Sequence, residues 1–202
     1  MKLAILKALS LLMLGSFLSA CARNEITLVN TWKNPEFSTR KCAKVLVVGV
    51  SENVGRRMLF EDAFTHELKR EGVDALQGYL VMIVGQGLSR EKVVGAVQSA
   101  GANCVITTRL QSLQEEKKLV TDYEAFMLAY PTMDITPPTV PTVASTEITV
   151  MKATVETRLF EAESAKMVWS TGAATYDFNN LEPVTKDYAR SIFKALKKEG
   201  MF

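Results

Sequence analysis

The chain has 202 residues, which is enough for one domain with a sizeable hydrophobic core. Its 24 basic and 22 acidic residues give a formal net charge of +2, and removing the first 20 positions would leave the two signs balanced. A neutral chain offers no electrostatic case for a nucleic-acid partner. Three cysteines and one histidine are too few for a structural metal site, and we expect no cofactor.

The first 20 residues have the pattern of a secretory signal peptide. Lys2 and Lys7 supply a basic start, Ala8 to Phe17 is uncharged, and the segment ends in small residues. Two alternatives are an uncleaved anchor, for which the apolar stretch is barely long enough, and a signal peptide without lipid. The run Leu18-Ser19-Ala20-Cys21 resembles a bacterial lipobox.

That resemblance implies cleavage between Ala20 and Cys21 and a diacylglyceryl group on the Cys21 sulfur. Ala22 follows the cysteine, where an Asp would imply retention at the inner membrane of a Gram-negative cell. The resemblance therefore implies the inner leaflet of the outer membrane, with the domain facing the periplasm. No second long apolar run follows, so we expect nothing else to cross a membrane.

Residues 21–41 are polar, include Pro35 and lack a sustained periodic pattern. They are predicted to be a flexible tether that spans roughly 25 Å on average. Four apolar residues offer the alternative that part of the segment docks as an edge strand: Ile26, Leu28, Val29 and Trp32. A single domain is expected over residues 42–202.

Apolar runs and amphipathic segments then alternate along the chain. Strands are predicted at Lys44–Val50, Val73–Leu76 and Cys104–Leu110. Helices are predicted at Arg56–Glu71, ending at Gly72, and between the N-cap Ser89 and the terminating Gly101. This β-α-β-α-β order predicts a parallel three-stranded unit with right-handed crossovers.

Two cysteines bracket this unit. Cys42 lies just before the first strand and Cys104 lies at the start of the third. If those strands are parallel neighbours, both cysteines lie at the same end of the sheet and a disulfide is geometrically allowed. Two buried free thiols are the alternative.

Residues 111–146 are predicted to form a long insert. The segment contains the charged patch Glu115-Glu116-Lys117-Lys118, prolines at 131, 137, 138 and 141, and no clear periodicity. Such a segment is either functional or disordered, and we predict a mobile loop at its centre, Ala129–Ala144.

The remaining segments predict an antiparallel hairpin and a last helix. The hairpin strands are Glu147–Phe160 and Lys166–Thr175, and the helix is Pro183–Lys198. The predicted fold class is therefore α/β (α+β): a parallel β-α-β-α-β unit extended by a hairpin and a C-terminal helix. Together these give one mixed sheet with helices packed on it.

This order of elements resembles a family of small bacterial envelope lipoproteins of unknown function. It is more distantly similar to the α/β periplasmic modules of the Tol translocation protein's N-terminal domain, the curli secretion lipoprotein and the activators of penicillin-binding proteins. The segments that carry the resemblance are core-packing motifs: Lys44–Ser51, Arg56–Phe64, Gly101–Ala102, Thr107–Leu110, Arg158–Phe160 and Lys166–Ser170. They imply a fold and an envelope location rather than a chemistry.

Few residues suggest catalysis. His66, the single histidine, follows Asp62 by one helical turn, but no nucleophile motif accompanies the pair, and a solvated helix face with Glu67 and Arg70 is expected. The loop after the first strand is a candidate anion site, with four candidate ligand-binding residues: Ser51, Glu52, Asn53 and Arg56. It lacks the P-loop and dinucleotide motifs, so the default interpretation is a β-α turn with surface arginines.

Two functional hypotheses follow. The first is a non-enzymatic, lipid-anchored envelope protein that binds another envelope protein, or itself, through the insert or a sheet edge. The alternative is a periplasmic small-molecule or nucleotide-binding protein, or an enzyme, that uses the strand ends near Ser51–Arg57.

Overall fold

The computed structural model describes residues 26–37, 41–83, 85–121, 145–175 and 181–202. Six strands form one mixed sheet in the order β1-β6-β5-β4-β2-β3. The strands are β1 Thr27–Lys33, β2 Lys44–Val50, β3 Asp74–Gln77, β4 Cys104–Thr121, β5 Ser145–Glu161 and β6 Met167–Thr175. The helices are α1 Val54–Arg70, α2 Arg90–Ala100 and α3 Leu181–Lys198, with a 3₁₀ turn at Gly78–Leu80.

The predicted parallel unit is present. β2 lies between β3 and β4 and is parallel to both, while β4, β5 and β6 run antiparallel in succession. The helix ends follow local chemistry: Ser89 accepts a hydrogen bond from the backbone N–H of Lys92, and Gly101 ends α2 in a left-handed conformation with φ of 60°. The predicted fold class is confirmed.

The two faces of the sheet are covered unequally. On one face, α1 and α3 pack over a large core that includes Val47, Ile106 and Trp169. On the other face, α2 packs over a smaller cluster that includes Val48 and Val105. Because alternate residues of β2 belong to opposite clusters, this strand is buried on both faces and has a continuous apolar sequence.

Cys42 and Cys104 are joined in a disulfide, with their Cα atoms 5.5 Å apart. Of the two alternatives that the sequence allowed, the structure has the bonded one. Cys104 begins β4 beside Val45 of β2, and the backbone N–H of Cys42 donates to the carbonyl oxygen of Met201 at 2.8 Å. The disulfide and this hydrogen bond hold the start of the domain and its C-terminal end together, at the end of the sheet where β2 and β4 begin.

The segment predicted as a tether contains an edge strand. β1 pairs antiparallel with β6, and Ile26 and Leu28 pack against the larger core. The tether prediction for residues 21–41 is therefore corrected for residues 26–37, where the docked alternative is observed. A bulge between Val29 and Trp32, with Asn30 at a φ of 53°, interrupts the alternation by which a strand is recognised in a sequence.

The predicted insert is partly strand. β4 continues to Thr121 and β5 begins at Ser145, so the charged patch at 115–118 lies within β4. Nearly every side chain of β4 beyond Leu113 is exposed, so this segment lacks the apolar alternation that marks a half-buried strand. The outer part of β5 lies within the predicted strand from Glu147 onward. The predicted mobile segment Ala129–Ala144 and the four prolines lie outside the described residues.

Candidate functional site

The turn after β2 is built by its own side chains. The hydroxyl oxygen of Ser51 accepts a hydrogen bond from the N–H of Asn53 at 3.2 Å. Asn53 is the N-cap of α1, and its side-chain oxygen accepts from the N–H of Arg56 at 2.9 Å. Asn53 therefore has a structural role at the start of this helix.

Beneath the turn lies a buried ion pair that the sequence analysis missed. Glu61 is fully buried, and one of its carboxylate oxygens accepts from the N–H of Gly49 at 3.0 Å and from Nε of Arg57 at 2.8 Å. The other oxygen accepts from the N–H of Tyr79 at 2.7 Å. Glu61 thus connects α1 to the chain at β2 and after β3, and these bonds compensate its burial.

Arg57 is not a surface arginine. Its side chain is 3% exposed, and its stem packs against Gly49, where an added Cβ would lie 3.3 Å from Cγ of Arg57. Nε pairs with Glu61, but Nη2 is buried and has no hydrogen-bond partner among the described residues. The prediction of surface arginines in this turn is therefore wrong for Arg57.

A cleft of about 460 Å³ opens at the carboxyl end of β2, beside Arg109 and Leu110 in the middle of β4. Its polar lining comes from the turn after β2, from α1, from β4 and from the loop before α2: Ser51, Glu52, Arg57, Arg109 and Gln86. A second pocket of about 140 Å³ lies between the sheet, α1 and α3 and is lined by Arg56, Arg57, Thr108 and Tyr188, among others. Arg57 borders both cavities.

The structure separates the four residues predicted to bind a ligand. Ser51 and Glu52 line the larger cleft, Ser51 and Arg56 line the smaller pocket, and Asn53 lines neither. Arg57 and Arg109 were missed. The sequence did offer a signal for Arg109, because this charged residue follows the apolar start of a strand.

Tyr79, which is bonded to Glu61, and Tyr188, which lines the smaller pocket, have raised pKa values for different reasons. The phenol of Tyr79 donates to Asp62 at 2.6 Å, and this bond is the main cause that raises the pKa of Tyr79 to about 12. Burial raises the pKa of Tyr188, although hydrogen bonds with the hydroxyls of Thr157 and Thr108 oppose that shift. Both phenols remain protonated at neutral pH.

His66 has no catalytic partner in Asp62. His66 is exposed on α1, while Asp62 accepts hydrogen bonds from Tyr79 and from the side chain of Gln77 at 3.0 Å. Glu67, expected on a solvated face, is instead 3% exposed and pairs with Arg190 of α3 at 3.1 Å. The helix face that was expected to be solvated is therefore partly a contact with α3.

A second candidate lies in the outer ends of β4 and β5. We name Gln114–Thr121 and Ser145–Lys152 the outer ribbon, because among the described strands these segments pair only with each other. The ribbon is about 24 Å long at 3.4 Å per residue. Within it Leu119 is 69% exposed, while Val120 is buried.

The outer ribbon carries ion pairs between its strands. Lys117 lies 2.6 Å from Glu147, and Lys152 lies 2.9 Å from Glu116. Such exposed pairs contribute about 0–1 kcal/mol each, because water and salt screen them. The ribbon is therefore held mainly by its backbone ladder.

Ala20 and Cys21, the predicted cleavage and lipidation site, lie outside the described residues. No helix within the described ranges is long and apolar enough to cross a membrane. In the same part of the chain, no group of three or more His, Cys, Asp or Glu side chains is arranged to hold a metal ion.

No protein-family model and no curated protein matches the chain. Among solved structures, the PelC dodecamer from Paraburkholderia phytofirmans is similar with a TM-score of 0.48 and 13% identity, covering 85% of this chain and 97% of that one. Lipoprotein GNA1162 from Neisseria meningitidis is similar with a TM-score of 0.44 and 12% identity, covering 77% and 99%. Both TM-scores lie below 0.5, and neither likeness assigns this chain a family, a partner or an oligomeric state.

Proposed function

We propose that the protein is a lipid-anchored, non-enzymatic binding or scaffolding module of the bacterial cell envelope. In this proposal Cys21 carries the lipid, and the domain faces the periplasm from the inner leaflet of the outer membrane. The signal-peptide pattern and the lipobox resemblance at Leu18–Cys21 support the anchor. Two or three acyl chains hold a protein stably at a bilayer, whereas one holds it weakly.

The outer ribbon is the observation that carries the binding role. A two-stranded ribbon is at best marginally stable in water, and this one presents Leu119 to solvent. The ribbon extends past the ends of β2 and β6. Along this length neither of its two edges pairs with another strand among the described residues. A partner that covers the ribbon buries Leu119 and can complete the open hydrogen-bonding edges. The partner is another envelope protein or a second copy of this chain.

The non-enzymatic part of the proposal draws on the same contacts. The carboxylate of Asp62, which would orient His66 in a catalytic pair, is instead hydrogen-bonded to Tyr79 and Gln77. A base that lacks such an orienting partner is a poor candidate for nucleophilic catalysis.

Site-specific photo-crosslinking in intact cells tests the binding role. A crosslinking amino acid at position 119 is expected to capture a discrete protein or a second copy. The same amino acid at Leu80, which is 60% exposed outside the ribbon, serves as the control. Leu119→Glu should abolish the complex recovered from membranes without changing the melting temperature. Recovery of monomer alone at native abundance, or equal capture from both positions, would contradict the proposal.

The anchor is tested separately. Cys21→Ser is expected to lose labelling by a palmitate analogue and to leave the membrane fraction, while the purified domain keeps its circular dichroism spectrum. Retained labelling would show that the lipid is attached elsewhere.

A further inference from the structure

The larger cleft lies where the connections of the parallel unit diverge. From β2 the chain passes through α1 on one face of the sheet to β3, and it then returns through α2 on the other face to β4. The strand order β3-β2-β4 places β2 and β4 side by side at the point where these connections separate. In open α/β sheets, such a switch point at the carboxyl ends of the strands forms a crevice suited to ligands.

Arg57, which borders both this crevice and the smaller pocket, carries an unmatched donor. The side chain is 97% buried, since only 3% of it is exposed, and Nε is already bonded to Glu61. Nη2 has no acceptor among the described residues. A buried donor without an acceptor is costly, and a guanidinium presents its donors in a fork that matches a carboxylate or a phosphoryl group.

The rest of the cleft lining also favours an anion. Arg109 lines it from β4, and Val54 lines it from the first turn of α1. The first N–H groups of a helix have no acceptor within that helix, and they carry a partial positive charge. Glu52 is the opposing charge in the lining, whereas Glu61 is occupied by its own hydrogen bonds.

We propose that this cleft binds a small anionic ligand through a phosphoryl or carboxylate group. Arg57 holds the anion through its free donors, Arg109 attracts it from the middle of β4, and the start of α1 adds its dipole. Glu52 weakens the binding by repulsion. The volume of about 460 Å³ suits a ligand of metabolite size. This binding does not depend on the outer ribbon or on the anchor.

Titration of the full chain with two probes tests the proposal. Inorganic phosphate and succinate are each titrated to about 10 mM at constant ionic strength, and binding is followed by ligand-detected NMR and by the melting temperature. At least one probe is expected to bind saturably and to raise the melting temperature. Phosphate without succinate identifies phosphoryl recognition, and succinate without phosphate identifies carboxylate recognition.

Variants locate the binding. Arg109→Gln, at an exposed position, is expected to weaken it about tenfold, because a charge-assisted hydrogen bond is lost. Arg57→Lys keeps the charge but loses the fork, and a loss of similar size is expected. Glu52→Gln should tighten binding roughly two- to fivefold by removing a nearby like charge. Arg158→Gln changes the net charge equally at an exposed arginine outside the lining, and it should leave the affinity unchanged.

The Glu52 variant separates a binding site from a structural role, because damage to the fold does not raise affinity. If Arg57→Lys fails to fold, Arg109→Gln and Glu52→Gln still decide the outcome. The proposal is overturned if neither probe binds saturably. It is also overturned if Arg158→Gln weakens binding as much as Arg109→Gln does.

Discussion

The inner and outer parts of β4 are one continuous strand in two environments. From Cys104 to Thr108 the side chains are almost all buried, beneath α1 and α3 on one face and α2 on the other. In the outer ribbon, from Gln114 onward, nearly every side chain of β4 is exposed. The bulge at Gln111, between the pairs Leu110–Val155 and Ser112–Thr154, lies between the two parts.

The contrast shows that two strands can keep a regular backbone hydrogen-bonding ladder without being packed in a hydrophobic core. The inner part is stabilised by apolar burial, which contributes about 25 cal/mol per Å². The outer part keeps the same hydrogen-bonding ladder with exposed ion pairs such as Lys117–Glu147. The first should therefore govern the stability of the domain, and the second should be available for recognition.

Hydrogen exchange should show the largest difference. Amides of the inner part, such as Ile106, are expected to exchange only through global unfolding, whereas amides of the outer ribbon, such as Leu119, exchange through local opening. The two opening free energies should differ by about 5 kcal/mol or more, which is the usual lower range of domain stability. Exchange measured by mass spectrometry or NMR at low protein concentration checks this. Equal protection in both parts would remove the distinction.

Loss of the disulfide should be the next largest effect. Cys42 and Cys104 are 62 residues apart, and opening a loop of that length is expected to cost about 4 kcal/mol. The double variant Cys42→Ala/Cys104→Ala is compared with the parent protein by urea unfolding. The bond lies at the inner end of β4, so exchange in the outer ribbon should change little. An unchanged unfolding midpoint would show that the bond adds no stability.

A pair of matched truncations compares the two parts directly. Ile106→Ala removes a fully buried side chain and is expected to cost about 3 kcal/mol in free energy of unfolding. Leu119→Ala removes a side chain that is 69% exposed and should change stability by less than about 0.5 kcal/mol in the isolated protein. Chemical unfolding measures both. A comparable loss for Leu119→Ala would show that the ribbon is part of the core.

The smallest effect concerns alkaline pH at Tyr79, outside both parts of β4. Its pKa is raised to about 12 from an unfolded value near 10, chiefly by the hydrogen bond to Asp62. The bond therefore contributes stability that is complete below pH 10 and is lost as the pH rises towards 12. The phenolate absorbance of the parent protein minus that of Tyr79→Phe, followed against pH, should show this titration. Asp62→Asn should lower the pKa of Tyr79 back towards 10. An unchanged pKa would show that Asp62 does not cause the shift.

Local sequence chemistry was enough to predict the parallel unit. Ser89 and Gly101 lie where a helix must begin and end, and β2 is apolar from Val45 to Val50 because both of its faces are covered. These features depend on residues close in the chain. The order of elements in the parallel unit needed nothing else, whereas β1, the sixth strand of the sheet, was predicted only as an alternative because its bulge interrupts the alternation.

The candidate site was less predictable because it depends on distant contacts. Arg57 and Glu61 have a spacing that is equally common on solvated helix faces, and only the N–H groups of Gly49 and Tyr79 explain why the pair is buried. The outer part of β4 carries no apolar alternation, since nearly all of its side chains meet water, whereas its partner in β5 was predicted as strand from Glu147 onward. The two strands of the outer ribbon are stabilised by pairing with each other. Pairing between segments that are distant in the chain leaves no signal in a short stretch of sequence.

The docked strand β1 sets a short reach for any anchor at Cys21. Ile26 already packs on the core, so only five peptide steps separate it from Cys21, or at most about 18 Å of extended chain. A free tether of 20 residues would allow a far larger excursion from the bilayer. With a lipid on Cys21, the domain would meet its partners by a two-dimensional search along one leaflet rather than a three-dimensional search across the compartment.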